Sequence, residues 1–308
     1  MFKNYFYLFI LIGVLLEMLF NSSLIINSVN FSFSLCINNL FPSLFPFMIL
    51  SNILIEYGFV DIISEFLKPL VNKVFKSNEY GGVILILSLI SGSPSNSKYI
   101  SELLNKKLIS EYDASKMLLY THFVNPLFII NTIGISFLNN KKIGIIILIS
   151  HYLGNFFIGI LFRGYHKYTN ISKVNVTNII NNINRKRNNF IVVLSNSIVS
   201  SINTLLIILG VITSCLIITS IININPIFNG ILEITQGLKY ISTTNYVLLT
   251  KTILITFFIS FGGFSIHAQC FSILSNKKIK YIPYLLARII HGIISSTIVY
   301  ILVKIIIV

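Results

Sequence analysis

The chain of 308 residues has no tryptophan, nine acidic residues and three cysteines, and each shortage removes a class of function. Without Trp, any interfacial aromatic belt has to be built from Tyr and Phe. Cys36, Cys215 and Cys270 lie far apart, form no CxxC and pair with no His at metal-ligand spacing. They read as small buried hydrophobes, and no metal or other cofactor is expected. Beyond Asp113 the only acidic residue is Glu233, so the apolar segments contain no paired carboxylates for acid–base work. No GxSxG, HExxH, Walker A or dinucleotide fingerprint is present either. No enzyme is expected.

What the sequence has in abundance is apolar surface. With 55% hydrophobic and 10% charged residues and a mean hydropathy of +0.84, it exceeds what a soluble fold can hide, so the chain reads as an integral membrane protein in contact with a lipid bilayer. The formal charge is +14, but the basic residues cluster in short stretches between apolar runs. That is the pattern of the positive-inside rule, and no nucleic-acid partner is implied. Lys3 precedes an apolar run from Tyr5 to Phe20 with no small-x-small site after it, which predicts a retained first transmembrane helix.

Apolar runs long enough to span fall near 5–26, 35–55, 117–137, 143–162, 198–222 and 283–303. Two further runs, Gly82–Ile90 and Thr252–Phe261, are too short and end in polar, helix-breaking clusters, SGSPSNS and GGFSIHAQ. Placing the acid-free basic stretch 163–187 inside fixes the rest. The uncharged 27–34 loop lies outside, residues 80–98 re-enter from the inside, and 252–275 re-enter from the outside. This arrangement also leaves Lys277, Lys278 and Lys280 outside, against the charge rule. Gly92 and Gly262 are 170 apart (262 − 92), and His122 and His291 are 169 apart (291 − 122). The expected fold is therefore all-α and polytopic, with about six spanning helices and two re-entrant hairpins in an inverted repeat. The expected parts are 1–34, a first helix and outer loop; 35–162, one repeat; 163–189, a basic cytoplasmic loop; and 190–308, the second repeat.

Backbone that leaves helical geometry inside a bilayer survives only against protein or a water-filled cavity. Ser93-Pro94 reads as the start of a half-helix, Ser93 at the N-cap and Pro94 at the first helical position. Its N-terminal amides would favour an anionic group. Ser95 and Asn96 add polar side chains there, and Ser265, His267 and Gln269 follow the Gly262-Gly263 turn. An ordinary loop at the end of a tilted helix would also explain 91–97, but the second cluster at 262–269 favours a solute site. Asn125-Pro126 marks a third break, either a tolerated kink or a place where His122 and Asn125 face the same cavity. The expected lining residues are Ser93, Ser95, Asn96, Asn125, Ser265 and Gln269, with His122 and His267 as candidates for proton coupling.

SGSPSNSKYISELLNKKLISEYDASKMLLYTHFVNPLFIINTIG resembles the signature of sporulation integral membrane proteins of the YlbJ type, which carry the nucleoside-recognition or Gate domain of relatives of concentrative nucleoside transporters. The blocks LFPSLFPFMILSNILIEYGF at 40–59 and SFGGFSIHAQ at 260–269 are similar too, so the resemblance covers roughly 40–300. Two positions depart from the family pattern: Ser93 stands where many members have Tyr, and Asn96 where Gly is common. The resemblance implies a membrane protein of endospore-forming bacteria, acting in the cell membrane or outer forespore membrane. It further implies passage of a small organic anion, dipicolinic acid, by alternating access. Two alternatives stay open, a nucleoside transporter of the same fold and a spore-envelope assembly factor that transports nothing. The sequence names no protein partner.

Overall fold

The structure, a computed structural model, describes residues 2–166, 189–222 and 226–307. Much of the basic stretch, 167–188, lies outside the described residues. Among the described residues every regular element is helical, and five helices are long and apolar enough to cross a membrane. The protein is an all-α polytopic membrane protein.

Helix α1, Phe2–Phe20, ends at a turn on Asn21, whose amide meets the Glu17 carboxylate. There is no outer loop at 27–34. Instead α2 runs unbroken from Ser22 to Glu56, interrupted only by a π turn over Cys36–Leu40. Two polar residues of that stretch, Ser28 and Ser32, face a helical neighbour. That neighbour is α9, Phe190–Ile222, which lies antiparallel to α2. Ser28 meets Ser220 at 2.7 Å, Ser32 meets Thr213 at 2.8 Å, and Asn52 donates to Ser201 at 3.1 Å. Between apolar helices such hydroxyl and amide pairs fix both approach and register.

The segment after Glu56 lies across the end of α2 as α3, Phe59–Leu70, and runs into a π turn over Val71–Phe75. Then α4, Gly81–Ser91, and α5, Ser95–Asn105, form a hairpin with its tip at Gly92–Pro94. Across that turn the Tyr99 hydroxyl donates to Ser91 at 3.2 Å. The half-helix begins one residue later than expected: Pro94 takes the N-cap position and no side chain caps it. Helix α6, Glu111–Tyr120, starts on a capping box in which Ser110 and Asp113 bond reciprocally.

The expected span 117–137 is not continuous. After Tyr120 the backbone leaves helical geometry over Thr121–Asn125 and re-forms through Pro126 into α7, Phe128–Phe137, wound as a π-helix. Helix α8, Lys141–Leu161, comes next under an Asn140 cap and completes the first half.

The second hairpin is not at 252–275. It is α10, Pro226–Leu232, folded back on α11, Ile234–Thr243, with Glu233 at the tip. The two arms meet backbone to backbone at Gly230 and Gly237. Residues 248–273 form a long helix in two pieces, α12, Leu248–Phe261, and α13, Gly263–Ile273, which diverge at Gly262. Helix α12 packs on α8 and on α14, Tyr281–Ile306, whereas α13 packs on α9 and α5.

The repeat spacing is therefore shorter than the glycines suggested. Tip residues Ser93 and Glu233 are 140 apart (233 − 93), and so are the breaks at His122 and Gly262 (262 − 122). The starts of α8 and α14, Lys141 and Tyr281, keep the same offset (281 − 141). Pairing Gly92 with Gly262 matched a hairpin tip to a broken crossing helix.

The hairpins approach from opposite ends. Lys98 on α5 donates to Asn52 at 3.0 Å, near the end of α2. On α11, Gln236 meets Thr219 at 3.3 Å and Lys239 sits 5.0 Å over the Phe31 ring, toward the other end of the α2–α9 pair. The lysine cluster lies at the α5–α6 end of the molecule, not at the opposite one. Lys277 donates to Asn105 at 2.5 Å, and the Lys278 amide donates to Glu111 at 3.1 Å. Nearby at that end, the buried Lys116 ammonium donates to the carbonyls of Lys76 and Arg163 at 2.7 Å and of His166 at 3.2 Å.

Candidate solute cavity

Both hairpin tips, the break at 121–125 and the first turns of α13 line one partly open cavity of about 50 Å³. Ser93 and Pro94 reach it from the first tip, Val124 and Asn125 from the first break. Glu233 and Thr235 come from the second tip, Ser265 and Gln269 from α13. The remaining wall is apolar and belongs to the α2–α9 pair, through Leu40, Leu44, Ile208 and Ile212.

Four helices begin at this wall: α5 at Ser95, the α7 segment at Pro126, α11 at Ile234 and α13 at Gly263. Each start carries unpaired amides and roughly half a positive charge. Two are capped from within. The Asn125 carbonyl oxygen accepts from the amides of Leu127 and Phe128, at 2.8 and 3.3 Å. The Glu233 carboxylate accepts from the Gln236 amide at 2.7 Å and the Thr235 hydroxyl at 3.1 Å. No side chain caps α5 or α13.

The breaks hold their shape through specific contacts. Gly92, at φ 78° and ψ 178°, occupies a region essentially reserved for glycine. A Cβ there would stand 2.7 Å from the Asn125 backbone nitrogen. Asn125 also donates to the Ile90 carbonyl at 2.9 Å, and the Ser93 amide donates to Phe123 at 2.6 Å, so tip and break are stitched together. Gly262, at φ 91°, lies against His122: a Cβ would be 2.7 Å from its Nε2.

Behind the wall sits a polar cluster whose protons can be assigned from its bonds. Arg288, fully buried, can only donate. It meets the Leu119 carbonyl, Asn155 at 3.3 Å and His291 Nδ1 at 2.9 Å. His291 Nδ1 therefore accepts, and its Nε2 donates to the His151 carbonyl at 2.9 Å. His151 Nε2 accepts from the Val124 amide at 3.0 Å, leaving Nδ1 to donate to Ser260 at 2.9 Å. Both rings are thus uncharged. The network satisfies the carbonyls and amides that unwinding at 121–125 exposes, with Asn155 donating to Tyr120 at 2.8 Å.

Of the expected lining residues, the cavity gathers Ser93, Asn125, Ser265 and Gln269. Ser95 and Asn96 are buried outside it, Asn96 reaching Thr121 at 3.4 Å. His122 and His267 also stand outside. His122 Nδ1 lies 2.9 Å from the Tyr284 hydroxyl and 3.2 Å from Ser93. His267 bonds the Phe261 carbonyl and the Tyr281 hydroxyl, both at 2.9 Å. Sequence reasoning missed Glu233 as a lining residue. The available signal was its isolation as the only acid after Asp113, just ahead of a short amphipathic run.

A protein of Bacillus subtilis (strain 168), sporulation integral membrane protein YlbJ, is 30% identical over 301 residues, covering 86% of this chain and 74% of that protein. The chain belongs to the YlbJ family. That placement agrees with the resemblance carried by residues 91–134 and supports a membrane role in sporulation. No family model and no solved structure matches the chain. What a YlbJ-family cavity can hold therefore has to be argued from the residues that line this one.

Proposed function

We propose that this YlbJ-family protein carries a small organic anion, dipicolinate before others, across the outer forespore membrane by alternating access. The observation that carries the proposal is the meeting of four helix N-termini at one cavity, two of them uncapped. Uncapped amides at a largely apolar cavity are suited to carboxylate oxygens, and two such ends suit a dicarboxylate. The apolar wall of Leu40, Leu44, Ile208 and Ile212 suits the face of an aromatic ring. Tips that approach from opposite ends supply one barrier each, which alternating access requires.

A basic end facing the cytoplasm, by the positive-inside rule, places α5, α6 and Lys277–Lys280 there and the α10–α11 hairpin on the other side. The test is uptake of labelled dipicolinate by proteoliposomes, with Ser265→Ala/Gln269→Ala as the variant. Uptake is expected in the parent and lost in the variant, and picolinate, with one carboxylate, competes more weakly than dipicolinate. Absence of uptake by folded, inserted protein would favour the assembly-factor reading.

Glu233 favours a second reading. A carboxylate in the wall suits a neutral, donor-rich solute such as a nucleoside. Uridine that displaces dipicolinate, or is itself taken up, would move that reading to the front.

A further inference from the structure

An anion site whose wall contains a carboxylate and no basic side chain poses a charge problem. Glu233 is fully buried, and the Ser265 hydroxyl in the same wall is buried without a partner. Both ion pairs among the described residues belong to Lys68, so neither neutralises Glu233. The titratable groups on the elements packed around it do not do so either. Cys215 on α9 is a thiol, Lys239 on α11 sits over Phe31, and Lys251 on α12 donates to the Ser242 carbonyl at 2.8 Å. On α13, Cys270 is a buried thiol and His267 is engaged by Phe261 and Tyr281.

We propose that Glu233 is the proton-coupling group of the cavity, taking up one proton as the organic anion enters and releasing it as the anion leaves. This rests on the anion reading above and adds the coupling ion to it. The geometry suits both states. Empty, the carboxylate accepts from the Gln236 amide and the Thr235 hydroxyl and caps α11. Loaded, one oxygen keeps the amide bond while the other carries the proton and donates it to a carboxylate of the cargo. The proton comes from solvent on the entry side and returns to solvent on the exit side, so no other reactant is needed. His122 and His267 are then positioning residues of the breaks, because neither reaches the cavity.

Two measurements test the idea. In proteoliposomes, an inward acid gradient is expected to stimulate dipicolinate uptake, with an accompanying pH rise outside. Glu233→Gln, which keeps the size and the cap, is expected to lose that stimulation and the proton movement. Gradient-driven uptake that persists in Glu233→Gln would overturn the coupling role while leaving the anion carrier intact. A parent protein that neither takes up nor exchanges dipicolinate would overturn both. The second measurement needs no transport. The infrared band of a protonated carboxyl group, taken as parent minus Glu233→Gln in detergent, should grow when dipicolinate is added. A difference spectrum that dipicolinate does not change would reject the proposal.

Discussion

At the scale of single residues, the first tip depends on Gly92 and Asn125. Gly92→Ala puts a methyl group against a backbone nitrogen and a side chain in a glycine-only region, which costs of order 1–3 kcal/mol in strain. Asn125→Ala removes a helix cap, about 1 kcal/mol, and strands the Ile90 carbonyl, about 1–3 kcal/mol more. Each variant should melt at a lower temperature than the parent in detergent and lose uptake. A parent-like melting temperature in both would show that the tip is not held by these contacts. Gly92, Pro94 and Asn125 were legible in the sequence because backbone breakers announce themselves locally. Glu233 was not, because its burial is set by how α10 folds back on α11, and nothing in the local sequence states that.

At the scale of elements, the unwound stretch between α6 and α7 is braced by α8 and α14 through Arg288, Asn155, His151 and His291. Burying a guanidinium without a carboxylate costs several kcal/mol, roughly, so stability alone does not explain its presence. Arg288→Met removes that cost and leaves the Leu119 carbonyl unpaired, at about 1–3 kcal/mol. The two effects oppose each other. The expected result is a melting temperature at or above the parent's with uptake lost. A large loss of stability would instead make Arg288 a structural residue. Apolar run length found most crossing helices, judged Thr252–Phe261 too short although it belongs to the long helix 248–273, and misjudged two further elements for one shared reason. The serines of α2 face another helix rather than water, and the 117–137 run conceals its break because the exposed backbone groups are satisfied by side chains from distant helices.

At the scale of the whole molecule, the charge rule and the contacts agree once the second hairpin is placed at 226–243. Lys277 and Lys278 then share an end with Asn105 and Glu111, and the apparent violation disappears. Cysteine introduced singly at Lys278 or Glu111 in a cysteine-free background should react with an impermeant reagent from the same side of the membrane. Cysteine at Lys141 should react from the opposite side. Labelling of Lys278→Cys and Lys141→Cys from one side would break the topology. Most crossing segments were readable from composition and charge. The repeat offset was not, since tips and breaks use the same residues, Gly, Ser and Asn, and only their packing tells one from the other.

The π turn at Cys36–Leu40 makes α2 a shaft with a built-in phase shift. A π turn is an α-helix carrying one residue more than its turn needs, so deleting one residue there would let an ordinary helix close over the gap. The halves on either side would then keep the same faces toward α9, whereas losing one residue from an ordinary turn would rotate one half by about 100° against the other. Asn52 would keep Ser201, and Ser28 and Ser32 would keep Ser220 and Thr213. The chain would still cross the bilayer, and circular dichroism should report the same helix content. Cysteine cross-links between positions 28 and 220 and between 52 and 201, formed in the parent background, should both still form, and loss of the first alone would show that the two halves had turned. The π turn thus takes up a surplus residue in place, so that both ends of α2 show α9 one continuous polar stripe.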